Sequence, residues 1–239
     1  FKYKIADVDN TPGATAYRPG TTIAAEMRGQ VFIRTPDMPT DSIFTDQWYL
    51  SDINVLPVWK DAYGQGYTGK GVNIAQFEPG MPFSVGPELF DYRNPDLQAN
   101  VDQSWIADPN ANLTQTLSNH ATLVAGVMVA ARNGEGAVGV AYDAKLSGHY
   151  IQGTGLEISA LTAEITTALA QFKNYDVVNN SWGSTADFNI NVIPVGTLEQ
   201  GILNAVTQGR GGLGTAIIMA GGNDRQNGGN TNTNALSAN

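Results

Sequence analysis

The chain has 239 residues, with 13 Lys and Arg against 22 Asp and Glu, no cysteine, and a formal charge of −9. This length suffices for one substantial core, and a composition that is 42% hydrophobic and 15% charged excludes global disorder. The acidity leaves no basic stripe for a nucleic acid, no apolar run reaches the roughly 20 residues that span a bilayer, and disulfides, thiolate zinc sites and a cysteine nucleophile are excluded outright.

Residues 1–40 stand apart. "FKYKIAD" alternates like a strand, "DNTPG" is a turn, and "GQVFIRT" is a second short strand, with Pro36 and Pro39 marking a boundary. This stretch reads as a β-like appendage, a linker or a pro-segment remnant. The pair Asp7 and Asp9 lacks the rest of a calcium loop and reads as a solvated turn. The start at Phe1, without Met or a signal pattern, suggests a processed or excised piece. A cysteine-free, acidic chain rich in Asn, Gly and Thr suits a bacterial extracellular or cell-surface setting.

From residue 41 to 239 strands and helices alternate. "GVNIAQFE" is a buried strand ending in a Pro/Gly turn, and "SNHATLVAGVMVAARNG" is a helix with a Ser or Asn cap and a Gly stop. "AKLSGHYIQ" is a strand. "ISALTAEITTALAQFKNY" is an amphipathic helix with Ile158, Leu161, Ile165, Ala168, Leu169 and Phe172 on one face. "DVVNNSWG" is a strand, "VGTLEQGILNAVTQGRGG" a helix and "TAIIMAGGN" a further strand. Apolar strands separated by helices imply a mostly parallel sheet covered on both faces, an α/β architecture. Sites in such sheets gather at the carboxyl ends of strands, where Glu78, Ser181 and Asn223 fall.

Each of these residues has a functional and a structural reading. His120, in the first turn of its helix, is either a packed histidine or a base facing a cleft. The small residues Ala121, Ala125 and Gly126 permit close packing beneath such a cleft. Glu78 is either a turn cap or the acceptor that orients the imidazole and stabilises its cation. Asn223 is either a turn residue after two glycines or an oxyanion donor. "GRGGLG" precedes a strand rather than following one, so it is a helix-to-strand loop and not a dinucleotide fingerprint. A nucleotide-binding α/β domain is therefore the weakest reading. His149, inside a strand, is packed or exposed rather than functional.

Taken in order, these segments resemble subtilisin-like serine peptidases of the kexin and proprotein-convertase branch. "DSIFTDQWYLSDINVLPVWKDAYGQGYTGKGVNIAQFE" is similar to that branch's entry into the strand carrying the triad acid. "NHATLVAG" is similar to His-Gly-Thr-x-Val-Ala-Gly, "VGVAYDAKLSGHYI" and "DVVNNSWG" to the next strand and the substrate-binding strand, and "MAGGND" to the oxyanion segment. The resemblance covers about residues 41–230 and implies a subtilisin-like fold and a triad peptidase acting on peptide or protein substrates.

By that resemblance Glu78 falls on the triad acid, His120 on the general base and Asn223 on the oxyanion amide. Ser181, Trp182 and Gly183 fall on the strand that pairs with substrate and lines the first specificity pocket. Structural calcium would map to Asp41, Asp96 and Asn133 in the "RNGEGAVG" loop. Three departures accompany this match. The acid is Glu rather than Asp, Ala121 replaces the glycine after the histidine, and no Gly-Thr-Ser nucleophile motif occurs. "GSTAD", with Ser184, follows the substrate strand and approaches from the wrong side. Asp187 lies in the same region, but its surroundings depart from the family pattern.

The expectation is a C-terminally incomplete subtilisin-like domain whose serine comes from the remainder of the peptidase domain, so that the 239 residues alone are inactive. The alternative is a catalytically degenerate module with a binding or structural role in a larger secreted or surface protein. A Gly-Thr-Ser motif downstream of residue 239 would separate the two.

Overall fold

A computed structural model describes residues 38–59, 66–79, 88–111, 113–114, 116–151, 158–182, 195–223, 225–229 and 231. The strand-like segments expected before residue 38 lie outside them, as do Gly183, Ser184 and Asp187.

In chain order the elements are α1 (Trp48–Asp52), α2 (Leu56–Trp59), β1 (Asn73–Pro79), β2 (Glu88–Leu89), α3 (Gln103–Ala107), β3 (Thr116–Leu117), α4 (Asn119–Val129), β4 (Lys145–Ile151), α5 (Ile158–Phe172), β5 (Val177–Asn180), α6 (Val195–Gln208) and β6 (Ala216–Met219). Four strands form one all-parallel sheet in the order β4-β1-β5-β6. The expected parallel α/β sheet is thus the observed one. The pair β2–β3 forms a second, two-stranded parallel ladder, each strand too short to leave a period in the sequence.

The pleat of β1 sorts its side chains between two layers, because successive residues point to opposite faces. Ala75 and Phe77 join Ile165, Ala168, Leu169, Phe172 and Ala205 in a core under α5 and α6. Ile74 joins Leu146, Ala121, Ala125 and Val129 in the core under α4. Gln76 and Glu78 share the parity of Ile74 and so face the α4 layer. The apolar face expected on α5 packs as anticipated at its last four positions, while the side chains of Ile158 and Leu161 lie outside the described residues. A third cluster of Leu50, Val55, Trp59 and Val138 seats α1 and α2 against the loop after α4.

Gly148 is where β4 must come close to its neighbours. A Cβ there would sit 2.6 Å from Leu89 Cδ1 and 2.8 Å from Phe90 Cε1, so a larger residue would displace the side chains by which the β2 segment packs over the sheet.

Helix α4 begins as anticipated. Ser118 caps it, its Oγ accepting from the Ala121 N–H at 3.2 Å. It ends at Val129 rather than at Gly134, because Ala130 turns extended (φ −50, ψ 136). The chain there is drawn into a loop in which Ala131 N–H donates to the Asp96 carbonyl at 2.7 Å. The "GRGGLG" segment forms a left-handed turn at Arg210 and Gly211 between α6 and β6, the helix-to-strand connection its order in the chain implied.

Candidate active site

Glu78 is the sixth residue of β1 and His120 the second of α4, and the fold brings the two together above the carboxyl end of the sheet. The Glu78 side chain is 3% exposed and that of His120 54%, with Nε2 3.7 Å from Oε2. That separation is an ion-pair distance, longer than the hydrogen bond expected of a triad acid and base. The same Nε2 lies 3.3 Å from the Ser181 carbonyl, at the residue that follows β5. The acid, the ring and the first residue after β5 therefore meet at one point.

Glu78 is held from its other side. Gln76 donates through Nε2 to Glu78 Oε1 at 3.1 Å and to the Ala121 carbonyl at 2.9 Å. Burial pushes the Glu78 carboxyl above its ordinary value. The hydrogen bond from Gln76 and the nearby His120 oppose that rise, and the charge of Glu88 adds to it. Gln76 was not singled out in the sequence, where the only signal was an amide inside an apolar strand, two residues before Glu78.

Beyond β5, Asn179 Nδ2 donates to Ser181 Oγ at 2.9 Å, which fixes the hydroxyl beside the strand end. Trp182 turns to the other face of the sheet. There it helps to line a cavity of about 340 Å³ with Leu169, Phe172, Ile202 and Met219. Its indole Nε1 is buried with no partner. Asn223 follows β6 by four residues at the same end of the sheet and is exposed.

The residues mapped to calcium form a separate cluster at the far end of α4. Asp41 is 5% exposed, and its Oδ1 accepts from the N–H groups of Asn133 (3.0 Å) and Gly134 (3.1 Å). Its Oδ2 is buried and has no partner. Asp96 Oδ2 accepts from Ala137 N–H at 2.8 Å, and Asn133 Nδ2 lies 3.5 Å from its other oxygen. Burial raises the proton affinity of Asp96, and the charge of Asp41 raises it further. Asn133 turns its own oxygen to the Glu135 N–H at 2.8 Å. Among the described residues no three His, Cys, Asp or Glu side chains gather as a metal-ligand group, so an ion here would draw part of its shell from amide and carbonyl oxygens.

Comparisons with known proteins bear on the family and the fold. The model of the subtilase family matches residues 41–239. The chain belongs to the subtilase family. This subtilase domain is 33% identical over 201 residues to Furin-1 of Xenopus laevis, covering 77% of the chain and 23% of that protein. It is 30% identical over 205 residues to proprotein convertase subtilisin/kexin type 4 of Homo sapiens, covering 80% and 25%. Among solved structures it is similar to the serine protease of Aeromonas sobria, with a TM-score of 0.53 at 23% identity, over 88% of this chain and 36% of that one. That likeness concerns the fold. The chain spans about a quarter of the length of its curated relatives. Both the fold and the kinship with the kexin branch that the motifs implied are thereby shown.

Proposed function

We propose that this subtilase domain supplies the acid, the base and the substrate strand of a serine endopeptidase, with the nucleophilic serine contributed by the remainder of the peptidase domain. The observation that carries this reading is a buried carboxylate facing a half-exposed imidazole at the carboxyl end of a parallel sheet, with the Ser181 carbonyl beside them. In this reading His120 takes the serine proton as the hydroxyl attacks the peptide carbonyl, and returns it to the leaving amine. Glu78, ionised, stabilises the imidazolium formed between those steps. The Asn223 amide donates to the oxyanion, and the chain that leaves β5 at Ser181 pairs with the substrate backbone. For Nε2 to receive the serine proton, the ring must leave the Ser181 carbonyl; substrate pairing at Ser181 would compete for the same carbonyl.

Structural calcium is part of the proposal. Asp41 Oδ2 lacks a partner and Asp96 carries a raised proton affinity beside it, a pair that a divalent cation would neutralise, with Asn133 and loop carbonyls completing its oxygen shell. An extracellular or cell-surface place, where calcium is abundant, suits such a site. Among the described residues no helix is long and apolar enough to cross a membrane.

The test is labelling of the full-length protein with a fluorophosphonate probe, wild type against His120→Ala. Labelling that depends on His120 is the expected result. Its absence would defeat the peptidase reading and favour a binding module.

A further inference from the structure

We propose that Gln76 is a positioning residue for the Glu78–His120 pair, tying the carboxylate to the backbone of the helix that carries the base. The inference rests on the peptidase reading for its functional meaning, but its geometry stands apart from it. One amide nitrogen reaches both Glu78 Oε1, at 3.1 Å, and the carbonyl of Ala121, the residue next to His120, at 2.9 Å. Both partners are pure acceptors when Glu78 is ionised, so the amide has one orientation that satisfies them. Strand, acid and helix are thus linked through a single group.

Packing alone does not account for the residue. Gln76 is 1% exposed, and its Oε1 is buried with no partner. An apolar side chain on this face, like that of Ile74 on the same strand, would avoid an orphaned acceptor. The need arises one turn of the pleat away. Glu78 has one more rotatable bond than an aspartate, and its Oε2 stands at ion-pair distance from His120 rather than in a hydrogen bond. A carboxylate so weakly fixed by its catalytic partner needs a second hold, and Gln76 grips the opposite oxygen. Donation to Oε1 also favours the ionised form against burial and against the charge of Glu88.

The experiment takes the full-length protein with Gln76→Leu, and Gln76→Met where the leucine variant does not fold. Two readouts are followed: the pH profile of fluorophosphonate labelling, and the carboxyl carbon resonance of Glu78 across the same pH range. Loss of Gln76 is expected to slow labelling about tenfold near neutral pH. It should also move the acidic limb, and the Glu78 midpoint with it, to higher pH. In a Glu78→Asp background, whose carboxylate is one methylene shorter and is expected to lose the Gln76 hydrogen bond, the Gln76 substitution should add less than about twofold. Unchanged profiles with only a lowered melting temperature would make Gln76 a packing residue, and so would an effect that multiplies fully in the Glu78→Asp background. If even the wild type fails to label, the peptidase reading falls, and the Glu78 midpoint decides on Gln76 alone: a rise upholds the hold, no change overturns it.

Discussion

The chain's two histidines lie on opposite sides of the sheet and are treated in opposite ways. His120 stands at the end of the sheet, half exposed, with a buried acid beside it. His149 is inside β4 on the α5 side, stacked on Phe77 at 4.6 Å between ring centres, with Nε2 2.6 Å from the Tyr175 hydroxyl. The neighbouring Ser147 donates to Asp102 Oδ2 at 3.2 Å. Burial lowers the His149 value to about 4, against a smaller opposing pull from Asp108, so at neutral pH this ring is an uncharged hydrogen-bonding wedge. A histidine beside a carboxylate and open to solvent can take up and release a proton, whereas a ring enclosed among aromatic side chains cannot do so readily. The fold provides the first setting at His120 and the second at His149.

The comparison can be broken hardest at its reactive side. His120→Ala should abolish labelling of the full-length protein, a loss on the order of ten-thousandfold, whereas His149→Phe should leave the labelling rate within a few fold. Equal losses in both variants would mean that the two sites do not differ in kind.

Glu78→Gln comes next. Activity should fall by about three orders of magnitude, while stability at neutral pH should rise. The sign follows from the raised value of Glu78. The folded chain binds a proton more tightly than the unfolded one, so its stability declines as pH climbs through the window above the ordinary carboxyl range. A neutral amide removes that decline. Thermal melts at several pH values should show the gain at pH 7 fading on acidification, and a variant less stable at neutral pH would contradict the argument.

On the buried side the sign reverses. Between 6.5 and about 4 the unfolded chain takes up a proton that folded His149 refuses, so stability is lost as pH falls through that window. The lost contribution is on the order of 3 kcal/mol, and denaturant titrations of His149→Phe should show a correspondingly flatter acid limb. The smallest effect is expected at the Asp41–Asp96 pair. Chelation should lower the melting temperature of the wild type by a few degrees and that of Asp41→Asn hardly at all. Equal responses to chelator would remove calcium from this loop.

Much of the sheet was legible because its apolar runs and helical periods are long enough to register in the chain. Ser118 announced the start of α4 by its chemistry, while the end did not announce itself, since hydrogen bonds from a distant loop stop the helix at Val129. The two-residue strands β2 and β3 carry no period at all. At the candidate site, Glu78, His120 and Ser181 could be placed by their positions at element ends. Gln76 could not, because its meaning depends on a carbonyl of α4 that only folding brings near. The Tyr175 partner of His149 was hidden for the same reason. Asp41 and Asp96 became a pair only through family likeness, their separation along the chain giving no sign that one would raise the proton affinity of the other.

The place of β1 in the sheet has a kinetic consequence. Among the described strands of the sheet it is the first to be synthesised, yet it sits second in the strand order, pairing Asn73 with Lys145 on one side and Ile74 with Val177 on the other. Neither partner exists until long stretches of chain have followed. Closure of these distant loops precedes any gain from pairing, which places the domain among slow folders of high contact order. Until then β1, with Gln76 and Glu78 in it, is an unpaired apolar strand open to wrong pairing during biosynthesis.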